Sequence, residues 1–349
     1  MAFGKWAVTG ALALLLTSTV GGFTGEQSRA EAASVLGYYT PDDASYQALT
    51  TYHAYLTGIS TDSFNMNTAG GVIGDVPTQA LSYAKSHTLA TYACFSNFGT
   101  DDFDPALAHT ILTNSTVRQK AITNMVNTVK KNGYTGINID FESVMAKDRS
   151  ALTSFVKSVS EALHPAGYKV VVSVPAKTQD DPSDGWSGAY NYAALGQYVD
   201  FLQVMTYDEH GPWSEPGSVA SKSWIEDSLK FSVSQVASSK ILIGLPDYGY
   251  DWNLTTSRQE DHHQIAGKNI AALLQKTGAA VKWDTATTSP YFNYTDSKGN
   301  KHVVWYENAR SIEEKAHLVP AYKLGGASVW ALGMEDNTFW AAVQKGMKP

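Results

Sequence analysis

The sequence predicts a (β/α)8 TIM barrel with a small α+β insertion between its seventh and eighth strands. Two observations carry that reading: eight short β-rich runs separated by longer, often amphipathic stretches, and the absence of a Gly-rich phosphate turn after the first run. The alternation reads as βα units around a closed parallel sheet, whereas a doubly wound sheet would ordinarily carry such a turn. The runs lie at 35–39, 55–60, 88–95, 136–141, 169–174, 201–206, 241–245 and 327–331. Helical patterns at 117–132, 151–164 and 312–324 stand between them. About eighty residues separate the last two runs. They hold Trp252, Trp283, Tyr291, Phe292, Tyr294, Trp305 and Tyr306 around the turn signal Asp296-Ser297-Lys298-Gly299-Asn300. Two aromatic β-runs about such a turn predict a hairpin within an insertion at about 253–310, rising from the upper rim. The sequence contains no internal repeat, low-complexity linker or separate binding module.

Residues 1–32 read as a signal peptide: Lys5, an apolar run over 7–20, then the small-x-small form Ala30-Glu31-Ala32. The apolar run is short for a bilayer span, so the expectation is an exported chain, 33–349, with no membrane anchor. Lys5 and Arg29 cancel Glu26 and Glu31, which leaves the exported part with the whole chain's net charge of -7. An acidic chain without a Lys/Arg run lacks the electrostatic footprint of a nucleic-acid binder. The single cysteine, Cys94, excludes an internal disulfide and a Cys-cluster zinc site, and its apolar flanks predict a buried packing residue. His262-His263 has no further His or Cys at metal spacing, so no metal is expected. A length a little over 300 residues supplies a core large enough to be stable without disulfides.

The segment richest in chemistry is Tyr134-Thr135-Gly136-Ile137-Asn138-Ile139-Asp140-Phe141-Glu142. Strand alternation sends Ile137, Ile139 and Phe141 to one face, under the outer helices, and Asn138, Asp140 and Glu142 to the other, toward the barrel interior. Carboxylates aimed into a barrel are costly unless solvent, hydrogen bonds or a ligand use them, and barrel active sites sit at the C-terminal ends of strands. Residues two apart on a strand are about 6.6 Å apart. An ionised Asp140 therefore disfavours ionisation of Glu142 and keeps a proton on it near neutral pH.

Residues 136–142 resemble the D-G-x-D-x-D-x-E signature of family 18 glycoside hydrolases, a group containing chitinases and bacterial wall-lytic enzymes. Thr135 and Asn138 stand where the signature has aspartates, while the last Asp and Glu are intact. The G-[VI]-N-[IL]-D-F-E form is similar to the spore-associated N-acetylglucosaminidase branch. Three more segments resemble the family in the expected order: Met205-Thr206-Tyr207-Asp208, then 245–252 with Asp247 where an apolar residue is common, then Gly325-Gly326-Ala327-Ser328-Val329-Trp330. At strand three, Ser96-Asn97-Phe98-Gly99 is only loosely similar to S-x-G-G.

The resemblance implies a secreted glycosidase of N-acetylglucosamine-containing polysaccharide, without cofactor and acting as a monomer. It implies Glu142 as acid, Asp140 as the group that orients the acetamido nitrogen, and Tyr207 as the group that holds the acetyl oxygen, supported by Asp208. The implied sugar-contacting set is Asn138, Met205, Asp208, Trp330, Tyr38 and Tyr248, with Trp330 forming a floor. The chemistry it implies is substrate-assisted: the N-acetyl group replaces an enzyme nucleophile, with retention at the anomeric carbon. A non-catalytic lectin on the same barrel is the rival; such members typically lack the acid glutamate, which this chain keeps. Trp186, Trp213 and Trp224 are open to reading as sugar platforms or as packing residues.

Overall fold

The computed structural model describes residues 33–348, so the expected signal peptide at 1–32 lies outside the described residues. Eight parallel strands close on themselves in the order β1 (Ser34–Tyr39), β14 (Gly326–Trp330), β8 (Ile241–Pro246), β7 (Phe201–Met205), β6 (Lys169–Pro175), β5 (Gly136–Asp140), β4 (Ala90–Ser96) and β2 (Gly58–Met66), with β2 pairing back to β1. A two-residue strand, β3 (Val72–Ile73), adds antiparallel to β2. The predicted (β/α)8 barrel is the observed one.

Alternation decides what each strand buries. Ile137, Ile139 and Phe141, with Val170, Val172 and Val174 of the next strand, join the large apolar core shared with the outer helices. The helix Ser115–Asn132 shows why these segments fold as they do. Asn114 caps its first turn by accepting from the Thr116 and Val117 amides at 3.1 Å each, and Gly133 ends it with φ 63°. Its stripe Ala121, Ile122, Met125, Val126 and Val129 faces the core.

Inside the barrel the side chains stack in layers. Leu36, Tyr92, Val171 and Leu242 make an apolar layer. Another layer is polar and fully knit: the Tyr38 hydroxyl donates to Asn138 Oδ1 at 2.8 Å, Ser60 donates to the same oxygen at 3.2 Å, and Asn138 Nδ2 donates to Ser173 Oγ at 3.0 Å. Gln203 Nε2 donates to Ser328 Oγ at 3.0 Å. Cys94 is fully buried beside Tyr38 and Ala331, the packing role expected of it.

Two expected elements differ. The second strand starts at Gly58, not at 55, because His53–Tyr55 closes a 3-10 turn in which the Leu56 amide donates to the His53 carbonyl at 3.0 Å. It then runs on to Met66 through an irregularity between Asp62 and Phe64. The helix expected over 312–324 is two helices, Ala309–Ala316 and Leu318–Tyr322. Pro320 has no N–H for the carbonyl four residues back, which ends the first helix early.

Between β8 and β14 the chain forms a second, five-stranded antiparallel sheet. Its strands are β9 (Tyr248–Asn253), β10 (His263–Ala266), β11 (Lys282–Asp284), β12 (Ser289–Thr295) and β13 (Lys301–Tyr306), in the order β10-β9-β13-β12-β11. The helix Gly267–Thr277 packs Ile270 against Phe292, Val304 and Tyr306. The β12–β13 hairpin turns at the signal read from the sequence, where Asp296 Oδ1 accepts from the Lys298 and Asn300 amides at 2.8 Å each and Gly299 has φ 86°. The sheet begins at Tyr248, ahead of the boundary near 253 suggested by the sequence.

A buried ion pair fastens this sheet to the outer helix Ala309–Ala316. Lys315 Nζ lies 2.5 and 2.6 Å from the two carboxylate oxygens of Glu307 and 3.2 Å from Ser289 Oγ, with both charged side chains essentially inaccessible. Removing one partner strands a charge in a dry interior, which typically costs about 3–5 kcal/mol. Lys315→Met should therefore lower unfolding stability by about that amount. The double change Glu307→Leu/Lys315→Met should recover most of the loss, as read from denaturant midpoints of the four proteins in the cycle.

Candidate active site

The end of β5 delivers the acidic pair. Asp140 is the last strand residue, buried and inward; Glu142 follows two residues later, half-buried at the rim. Backbone contacts fix Glu142. Its amide donates to Asn97 Oδ1 at 2.8 Å, and Asn97 Nδ2 donates back to the Glu142 carbonyl at 2.9 Å. The Tyr190 hydroxyl donates to the Phe141 carbonyl at 2.8 Å. Ser143 leaves the strand in the left-handed region with φ 52°, as Asp208 does after β7 with φ 60°. Such conformations cost energy in non-glycine residues and cluster at functional sites.

Burial sets the charge states. It is the largest cause pushing Asp140 up to about 7, followed by the Asp62 charge, while a hydrogen bond from Ser173 pulls the other way. Burial also holds Glu142 well above the usual carboxylate range, with the charges of Asp140, Asp208, Asp102 and Asp62 adding to it. Strand spacing points to the Asp140 charge as the cause; desolvation is the larger one. Asp62 and Asp208 are pushed up by burial too. Four carboxyl groups thus meet at this end of the barrel, each binding its proton more tightly than an exposed carboxylate does, which suits proton transfer.

The facing wall comes from β7 and the second sheet. Asp208 Oδ1 accepts from the hydroxyls of Tyr248 at 2.7 Å and Tyr250 at 2.8 Å. Tyr207 lies in the field of Asp140, Glu142 and Asp208, and burial first of all keeps its phenol protonated. Its ring meets Tyr248 edge-on at 6.5 Å. Trp330 is half-buried at the end of β14, its ring tilted against Tyr38 at 5.5 Å, and its peptide bond to Ala331 is cis. Met205 is half-buried at the end of β7.

The structure therefore brings Glu142, Asp140, Tyr207 and Asp208 together, with Tyr248 behind Asp208. Asn138 and Tyr38 lie deeper, in the knit polar layer, Asn138 with no accessible surface and Tyr38 with 2%. Asp62, Asn97, Tyr190 and Tyr250 complete the arrangement and were not singled out from the sequence. Among the described residues no group of three or more His, Cys, Asp or Glu is placed to hold a metal ion, and no helix is long and apolar enough to cross a membrane.

Comparison with known proteins agrees with this geometry. The chain is 43% identical over 349 residues to an uncharacterized glycosylase, YvbX, of Bacillus subtilis (strain 168), covering 99% of each. Among solved structures it is similar to a chitinase from Chromobacterium violaceum, with a TM-score of 0.86 at 39% identity over 91% of this chain and 100% of that one. It is also similar to the Bacillus cereus spore cortex-lytic enzyme SleL, with a TM-score of 0.85 at 28% identity over 90% and 74%. The family model for "Glycosyl hydrolases family 18" matches residues 34–335. The chain belongs to glycosyl hydrolase family 18.

Proposed function

We propose that this glycoside hydrolase is an exported enzyme that cuts β-1,4 linkages of N-acetylglucosamine-containing polysaccharide by a substrate-assisted, retaining mechanism. The observation that carries the reading is the disposition of Glu142 over Asp140 with Tyr207 facing both. Glu142, held protonated by burial and its acidic neighbours, gives its proton to the departing glycosidic oxygen. Asp140 accepts from the acetamido N–H, and the Tyr207 hydroxyl donates to the acetyl oxygen. These contacts press that oxygen onto the anomeric carbon as the bond breaks. Glu142, now a carboxylate, takes a proton from water as it opens the cyclised intermediate, restoring the original anomer. Asp208, held by two phenols, supports Tyr207, and Trp330 offers an apolar face to the C–H face of the sugar. Asn138 and Tyr38 act from below as positioning residues. The leader read at 1–32 supports export, and the likeness to a cortex-lytic enzyme favours peptidoglycan. The higher identity to a chitinase supports chitin as the second reading. Rates on purified cortex, vegetative wall and chitin, compared side by side, separate the two.

Glu142→Gln should cost at least about 10²-fold and as much as 10⁴-fold in turnover while sugar binding persists. More than a tenth of wild-type activity in that variant would remove Glu142 from the role.

The acid limb of kcat/KM should follow Asp140. Asp62→Asn removes a negative neighbour, so Asp140 loses its proton more readily and the limb moves to lower pH. Asn138→Asp adds a carboxyl group to the buried layer and moves it to higher pH. An acid limb unmoved in both variants would detach it from Asp140.

If the acetamido group is the nucleophile, fully deacetylated polymer should remain uncut. A thiazoline mimic of the cyclised intermediate should inhibit, because such mimics bind roughly 10²–10⁸-fold tighter than substrate. NMR during hydrolysis should find the retained anomer first. Inverted anomer, or equal cutting of deacetylated polymer, would rule the mechanism out.

A further inference from the structure

Asp247 is the residue between β8 and β9 and is only 2% exposed, a place where burial favours an apolar side chain. Its neighbour Pro246 stands opposite Trp330 in the β8–β14 register and has no N–H to offer the ladder. Asp247 takes over both sides of the link after Trp330. Its amide donates to the Trp330 carbonyl at 3.3 Å, and its Oδ1 accepts from the Ala331 amide at 3.0 Å. The other carboxyl oxygen, Oδ2, is buried with no hydrogen-bond partner. Burial first, then the Glu335 charge, pushes this carboxyl well above the usual carboxylate range, against opposing pulls from its backbone hydrogen bonds, that of Ala331 foremost, and from Lys268. A buried carboxyl with an idle oxygen is an expensive way to fill space. What it supplies is the acceptor for an amide, 1% exposed at Ala331, that no strand can reach.

We propose that Asp247 is a positioning residue for sugar binding: by holding both ends of the Trp330–Ala331 peptide it fixes the tilt of the Trp330 ring. That ring lies 5.5 Å from the Tyr38 ring and packs against the apolar cluster that holds Tyr248 and Tyr250, as Tyr207 and Met334 also do. Without an acceptor, the Ala331 amide turns toward another partner and carries the Trp330 Cα with it, so the ring no longer lies flat beneath a pyranose. The inference rests on the site reading given above, in which Trp330 is the floor.

The test measures calorimetric binding of an N-acetylglucosamine tetramer to the Glu142→Gln protein, with and without changes at Asp247. Asp247→Leu removes the acceptor and should weaken binding about tenfold, the size expected when a buried amide loses its partner. Asp247→Asn keeps Oδ1 and should bind within about twofold of the parent. In the active enzyme, Asp247→Leu should raise KM about tenfold with kcat changed less than about threefold; a merely structural aspartate would lower Tm and leave KM unmoved. Unchanged Kd and KM in Asp247→Leu would overturn the proposal. So would a tenfold loss in Asp247→Asn, which stands as the test on its own if the leucine variant does not fold. If the Glu142→Gln protein binds no tetramer at all, the site reading falls and this inference with it. If it binds and Asp247→Leu binds equally well, the inference alone fails.

Discussion

A closed barrel has to fill its own interior, and this chain fills much of it with hydrogen-bonding groups. Because Tyr38, Ser60, Asn138, Ser173, Gln203 and Ser328 are out of contact with water, each must find a partner inside, and the network they form leaves little freedom in the side chains. Asp140 sits over that network, and its charge state is set by what the network lacks. Ser173 pulls its proton affinity down; burial and Asp62 push it up, and they win. Glu142 is raised in the same way, by burial first and then by the charge of its neighbour Asp140.

The second sheet is part of the same machinery. β9 follows β8 after one intervening residue and brings Tyr248 and Tyr250 to Asp208, which β7 leaves in a left-handed conformation. Two phenols on one carboxylate oxygen hold that conformation more firmly than the backbone would by itself. Further along, Glu209 accepts from the Ser221 amide and hydroxyl, and Ser218 meets Ser289 at 2.7 Å, beside the Lys315–Glu307 pair. The Asp208 turn is therefore tied at one end to the phenols of β9 and at the other to the buried ions that secure the sheet. What looks in sequence like an appendage is one wall of the site.

The legible parts of the sequence are those where local pattern and tertiary role coincide. Residues 136–141 and 169–174 alternate between an apolar outer face and an inner one, so strand and direction follow together. β2 runs past its expected end because its inner face carries Ser60 and Asp62, and a polar inner face looks like a loop until the barrel closes around it. Asn97 and Tyr190 act on the backbone beside Glu142, through contacts that no motif records. Asn97 falls in the segment least similar to its family counterpart, and only the structure shows it to be a fully buried amide just past the end of β4. Asp62 carries no signal in the sequence: its importance lies in proximity to Asp140, which only the β2–β4–β5 ladder creates. Tyr250 lay within a recognised segment, but its role depends on β9 leaving the barrel sheet for the second one.

Asn138 is where the structure turns a departure from the signature into an argument about proton traffic. Both functional groups of its amide are engaged: Oδ1 accepts from Tyr38 and Ser60, and Nδ2 donates to Ser173. An amide held this way has no proton to exchange and no charge to gain. Asp140 therefore cannot exchange a proton with residue 138. The groups left to set its charge are Ser173, Asp62 and Glu142 at the rim. A carboxyl group with a proton affinity near neutrality feels its neighbour above, so the ionisations of Asp140 and Glu142 belong to the pair and not to either residue alone. On this reading, replacing an aspartate by asparagine does not weaken the signature. It leaves the position below Asp140 without a titratable carboxyl group, while burial and the surrounding carboxyl groups go on setting the proton affinity of Glu142.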